Sequence, residues 1–151
     1  LLAGPVPERL VFTVQEEVAR RLAAAPGTRD YGPVSVVTQA LGEVGVLRRL
    51  APSVFWPRPR VTSAMVRVTP SPERRGRIAD LGTFRGVIEG LFAHRRKRAA
   101  RSLALADPAG ASPREWAARL EAAGLNPKVR GETYSVGEII RLANALAKQQ
   151  N

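Results

Sequence analysis

Two stretches of the chain stand out for what their side chains can bind. The first is "VFWPRPRVTSAMVRV", Val54 to Val68, where Phe55 and Trp56 stand side by side ahead of Pro-Arg-Pro-Arg. An aromatic held between proline-rich segments and flanked by Arg58 and Arg60 suits stacking on a base taken out of its helix. Phe55 is read as that platform, and Trp56 as a hydrophobic plug beneath the loop. The second stretch is Arg95, Arg96, Lys97 and Arg98, with Arg101 close behind. A helix C-terminus accommodates one or two cations through its dipole. Four in succession repel one another, so they are read as phosphate contacts. Such contacts position a protein on nucleic acid without reading its sequence.

Other chemistries find few residues to work with. Cysteine is absent and His94 is the one histidine. That excludes disulfides, thiolate nucleophiles and cysteine-ligated zinc, and it argues against a His-rich metal site or a Ser-His-Asp triad. Glu16, Glu17 and Asp30 form no convincing acid/base pair, and Glu16 is read as a helix cap. His94, beside the cationic run, is read as a phosphate or solvent contact. Tyr31 is either a loop anchor or a contact residue. No G-x-G-x-x-G follows a strand and no G-x-x-x-x-G-K-[ST] occurs, so the chain carries no nucleotide-cofactor fingerprint.

The balance of charge points the same way as the aromatic and basic stretches. The 151 residues carry a formal charge of +11. Between Glu73 and Arg101, nine Lys or Arg stand against three acidic residues, so more than half of the excess lies there. Nucleic acid is the first partner to consider and an anionic membrane surface the second. No apolar run is long enough to span a bilayer, and Leu1 to Pro7 shows no signal pattern. The lack of cysteine fits a cytoplasmic protein.

The elements that hold these residues follow from periodicity. "LVFT", Leu10 to Thr13, reads as a short strand. Thr13 with Glu16 reads as a capping box opening a helix to about Ala25. Ser35 to Leu41 reads as a short helix. Val44–Leu50 and Ser63–Thr69 read as an antiparallel strand pair joined by the Phe55–Trp56 loop. "TPSPERRGR" reads as a linker. Beyond it the period changes from two to 3.6, and Phe84, Val87, Ile88, Leu91 and Phe92 form one core stripe. Ser112 with Glu115, and Ser135 with Glu138, read as capping boxes, and Gly124 as a helix stop. The fold class is therefore α/β followed by all-α, with residues 1–70, a linker at 71–82, and a small helical domain at 83–151. Three strands and two helices cannot cover both faces of the first part's sheet, which looks like the end of an α/β domain.

Four segments together resemble the KsgA/RsmA-type ribosomal RNA adenine dimethyltransferases. They are "VQEEVARRLAAAPGTRDYGPVSVVTQAL", "VFWPRPRVTSAMVRVTP" (the F-x-P-x-P-x-V-x-S-A pattern), "LFAHRRKRAARSL" and "LEAAGLNPKVRGETYSVGEIIRLANAL". The resemblance implies a Rossmann-like methyltransferase domain ending in residues 1–70, then a helical domain that grips the ribosome. It implies S-adenosylmethionine as methyl donor, two adjacent adenosines of small-subunit rRNA as substrate, the pre-30S subunit as partner, a monomer, and no metal. It makes Phe55 the aromatic against the target adenine. It adds Lys128 and Arg130 to Arg58, Arg60, Arg95, Arg96, Lys97, Arg98 and Arg101 as RNA contacts. The family's cofactor glycines, ribose-binding acid and Asn-Leu-Pro-Tyr loop belong upstream of Leu1, so the chain by itself is expected to bind cofactor poorly and not to catalyse. "GTRDYGPVSV" and "ETYSVGEIIRLANAL" favour the small-subunit enzymes. An Erm-type large-subunit rRNA methyltransferase, a mitochondrial transcription-factor relative and a non-enzymatic RNA-binding module are the alternatives.

Overall fold

The computed structural model describes residues 7–149. The reading of the first residues as lacking a signal pattern falls mostly outside them. The chain forms strand β1 (Leu10–Gln15), helices α1 (Glu16–Leu22) and α2 (Pro33–Leu41), strands β2 (Gly42–Leu50) and β3 (Ser63–Pro70), then helices α3 (Pro72–Gly76), α4 (Leu81–Ala93), α5 (Ala99–Ala106), α6 (Pro113–Ala122) and α7 (Val136–Ala147). The sheet order is β1–β3–β2, with β3 antiparallel to both neighbours. The expected pairing of β2 with β3 is present, in a register running from Gly42 opposite Pro70 to Leu50 opposite Ser63.

Period-two patterning sets the sheet's inner face. Ala64, Val66 and Val68 on β3 are buried and pack with Ala19 and Leu22 of α1. Cross-strand partners share a face, so Phe12 and Val46 flank Val66 on that same side. Val66 is fully buried while Phe12 and Val46 stay 36% and 46% exposed. The cover over this face is thus centred on the middle strand.

The Thr13–Glu16 capping box does not form. The strand runs on through Gln15, and α1 opens at Glu16 with no side-chain cap. Thr13 and Val14 lie opposite Met65 and Ala64, and a ladder of backbone bonds with well-fitting β-branched side chains outweighs a cap worth about 1 kcal/mol. Glu16 pairs instead with Arg49 at 2.8 Å and Arg20 at 3.6 Å. The segment read as linker also folds: Ser71 caps α3, and Arg74 donates to the carbonyls of Gln39 (3.0 Å) and Gly42 (2.9 Å).

The helical part is built as its spacing dictates. Phe84, Val87, Ile88, Leu91 and Phe92 are all buried on α4. Ser112–Glu115 and Ser135–Glu138 form reciprocal capping boxes, and Gly124 adopts φ +72° just past α6. Tyr31, Val36 and Ala40 join the same buried cluster as α4 to α7.

Candidate nucleic-acid interface

A cluster of three loops brings together two basic segments far apart in sequence. After α4, the chain is held by Ser102, whose hydroxyl donates to the Gly90 carbonyl at 2.6 Å and accepts from the His94 N–H at 3.2 Å. It then turns, with Lys97 N–H donating to His94 O at 2.8 Å. Arg98 pairs with Arg130 in an isolated antiparallel bridge, and Ala99 N–H donates to Val129 O at 2.7 Å. The next residue, Gly131, passes so close to α4 that a Cβ there would lie 2.6 Å from the Leu91 carbonyl oxygen. Only glycine allows the 128–132 loop this approach.

Of the cations expected to contact phosphate, Arg95 is engaged by neighbouring loops while its side chain stays half exposed. Its Nε and Nη2 donate to Glu132 Oε2 at 3.1 and 3.0 Å, and Nη2 also reaches the carbonyls of Arg29 (3.1 Å) and Tyr31 (3.0 Å). Gly27 N–H donates to Glu132 O at 2.7 Å. Arg95 and Glu132 therefore tie together the loops at 27–31, 94–99 and 128–132. Arg96, Lys97, Arg98, Arg101, Lys128 and Arg130 are exposed around this tie. Of these six, only Arg130 has a carboxylate within ion-pair reach among the described residues, Glu132 at 3.9 Å. The result is a solvent-facing group of cations held by backbone, which suits several phosphates at once. His94 is exposed beside it.

Tyr31 is resolved as an anchor. It is fully buried, its hydroxyl donates to Tyr134 O at 3.0 Å, and its ring meets Phe92 edge-on at 6.0 Å. Tyr134 in turn donates to Asn126 O at 2.8 Å. The segments "GTRDYGPVSV" and "ETYSVGEIIRLANAL" thus pack on one another. Burial, and secondarily the nearby Glu138 carboxylate, push both phenols up to about 12. These are the chain's two tyrosines. In the unfolded chain they ionise near 10, so between pH 10 and about 12 the unfolded state binds fewer protons and folded stability falls as pH rises. The expected result is a tyrosinate absorbance that lags well behind free tyrosine and then rises together with loss of helical circular dichroism. A titration near pH 10 with helix intact would contradict the burial.

The β2–β3 loop lies at the sheet end where Leu50 faces Ser63 and Glu16 N–H donates to Thr62 O at 3.0 Å. Here the sequence reading of Trp56 is overturned: it is no plug but 96% exposed. Phe55 is half-buried. Its backbone is extended, with φ −116° and ψ 148°. Arg58 and Arg60 are exposed and, among the described residues, share no hydrogen bond or ion pair with the three-loop cluster.

Sequence reasoning missed Glu132, Ser102 and Arg74 as organising residues. Glu132 carried a signal, being the one acid beside Lys128 and Arg130. A groove of about 700 Å³ lies between α4, α5 and α6, where Trp116 donates to Asp107 at 3.0 Å and Arg119 sits 4.8 Å over its ring. Among the described residues no group of His, Asp or Glu is placed to hold a metal ion, and no helix is long and apolar enough to cross a membrane.

Known proteins share both sequence and fold with this chain. The Ribosomal RNA small subunit methyltransferase A of Geobacillus kaustophilus is 39% identical over 149 residues, covering 97% of this chain and 51% of that protein. Its counterpart from Halothermothrix orenii is 36% identical over 137 residues, covering 91% and 46%. The chain spans about half the length of these curated relatives. A dimethyladenosine transferase from Plasmodium falciparum superposes with a TM-score of 0.83 at 16% identity, over 97% of this chain and 59% of that one. The 23S rRNA methyltransferase ErmE superposes at 0.58 and 23% identity, over 93% and 55%. The fold is thus the α/β arrangement of these methyltransferase structures, with a three-stranded antiparallel sheet and seven helices among the described residues. The sequence pattern described as Ribosomal RNA adenine dimethylase matches residues 2–148, and the chain belongs to that family.

Proposed function

We propose that this chain is the RNA-gripping half of a small-subunit rRNA adenine N6,N6-dimethyltransferase of the cytoplasm, acting as a monomer on the pre-30S subunit. In this reading residues up to 70 close a Rossmann-like methyltransferase domain, and residues 83–151 form the helical domain that holds rRNA. Family membership supports the reaction class. The observation that supports an RNA partner is the Arg98–Arg130 bridge, which makes one cationic surface from two segments.

S-adenosylmethionine is the methyl donor of this reading, and the described residues do not fit it. The β1–α1 junction, "VQEEV", has no glycine turn, and its carboxylates Glu16 and Glu17 are engaged by arginines. The depression beside it is small, about 230 Å³, and lined by Gln15, Glu16, Glu17, Arg20, Val61 and Thr62. What these residues supply is binding and orientation. An adenine amino group is a poor nucleophile because its lone pair is delocalised into the ring, so its placement dominates the barrier. Phe55 would stack the target base, while Arg96, Lys97, Arg98, Arg101, Lys128 and Arg130 fix the surrounding backbone. For the 151-residue chain by itself the same geometry supports RNA binding without catalysis.

The test is methyl incorporation by the complete protein into small subunits that lack the modification, with large subunits as the competing substrate. Incorporation at adjacent adenosines of the small subunit is expected. Labelling of large subunits alone would transfer the assignment to the Erm-type enzymes.

A further inference from the structure

We propose that Trp56 is a second stacking platform, which holds an unpaired nucleotide next to the one packed against Phe55. The inference rests on the rRNA reading above and deepens it. Trp56 is the most exposed large hydrophobic side chain among the described residues, at 96%. A tryptophan carries roughly 150–250 Å² of surface, and a fold that buries Trp116 to 8% exposure has left this one in water. The backbone that presents the ring is restricted. The turn Pro52–Val54 precedes it, Phe55 is half-buried, and Pro57 and Pro59 follow. Proline fixes φ and restricts its predecessor, so little backbone freedom is lost when a base settles on the indole.

The chemistry of the occupant follows from charge. From Val44 to Pro72 there are five arginines and no Asp or Glu. Arg58 and Arg60 are exposed and have no carboxylate partner among the described residues. An exposed indole followed in sequence by two exposed guanidinium groups suits a π-face carried on a phosphate chain, which is single-stranded RNA. It does not suit an apolar protein surface, which would strand two charges, and to a lipid bilayer the loop offers one ring with only Val54 and Val61, 64% and 47% exposed, beside it in sequence.

The experiment uses the full chain and its two tryptophans as reporters. Trp116, buried and bonded to Asp107, marks the folded helical part, whereas Trp56 supplies the solvent-exposed emission that acrylamide quenches. The chain is titrated with a single-stranded oligoribonucleotide and, separately, with inorganic polyphosphate, which carries charge but no bases. RNA is expected to quench the exposed emission and shield it from acrylamide, while polyphosphate binds without either effect. Trp56→Ala should weaken RNA binding about tenfold, as expected for one stacked base, and leave polyphosphate affinity unchanged. Trp56→Phe should recover part of the loss.

RNA binding with emission like that of the polyphosphate complex, or unaltered by Trp56→Ala, overturns the stacking proposal and leaves the rRNA reading standing. No RNA binding at all overturns both. An emission shift on raising protein concentration alone, or on adding anionic vesicles but not RNA, assigns Trp56 to a second copy or to lipid and overturns the proposal.

Discussion

Replacing Tyr31 by alanine is expected to cost about 3–5 kcal/mol, the range for removing a buried large aromatic. Whole-domain stabilities are only about 5–15 kcal/mol, so a large share of the molecules should unfold. The reason is how much meets at this residue. Its ring fills a fully buried site against Phe92, its hydroxyl satisfies the Tyr134 carbonyl, and its own carbonyl accepts from Arg95. Tyr31→Phe keeps the ring and strands one buried acceptor, so roughly 1–3 kcal/mol should be lost. Urea unfolding followed by circular dichroism separates the two variants. Equal losses would mean that the hydroxyl rather than the ring does the holding.

Phe55→Ala in the complete enzyme is expected to slow methyl transfer about 10- to 100-fold. That corresponds to roughly 1–3 kcal/mol of base–aromatic stacking withdrawn from the positioned adenine. Affinity for the methyl donor should stay unchanged, because in the proposed reading Phe55 meets the base and not the donor. Phe55→Tyr should restore most of the rate, since it restores the π-face. The measurement is single-turnover methylation of unmodified small subunits, alongside equilibrium binding of the donor. Turnover equal to wild type would remove Phe55 from the site.

Local signals survived the step from sequence to structure best. Ser112 with Glu115 and Ser135 with Glu138 cap their helices as read, because each box is closed by residues three apart. The identical signature at Thr13 and Glu16 failed because β3 is a long-range competitor for Thr13. The stripe on α4 was legible because five apolar residues share one face. Helix α5, at eight residues, was not, since its buried face is made of Ala99, Ala100 and Ser102 with Leu103 as its one large residue, and it directly follows the cation run.

The site divides along the same line. The two basic segments and the aromatic loop could be found by residue type. Which ring is exposed could not, because that depends on the path of the loop between β2 and β3. Nor could the pairing of Arg95, whose carboxylate partner lies 37 residues away.

The Arg98–Arg130 bridge has a thermodynamic corollary. Backbone bonding there holds a patch of like charges together, so the folded state carries a self-repulsion that the expanded chain relieves by separating its segments. The unliganded protein is therefore least stable in dilute salt, and screening by added salt should stabilise it. A polyanion that binds only the assembled patch stabilises by mass action, so melting temperature should climb with its concentration. Folding and the proposed RNA binding are then two readings of one electrostatic balance: the feature that would make the surface attractive to phosphate also keeps the empty protein short of its full stability.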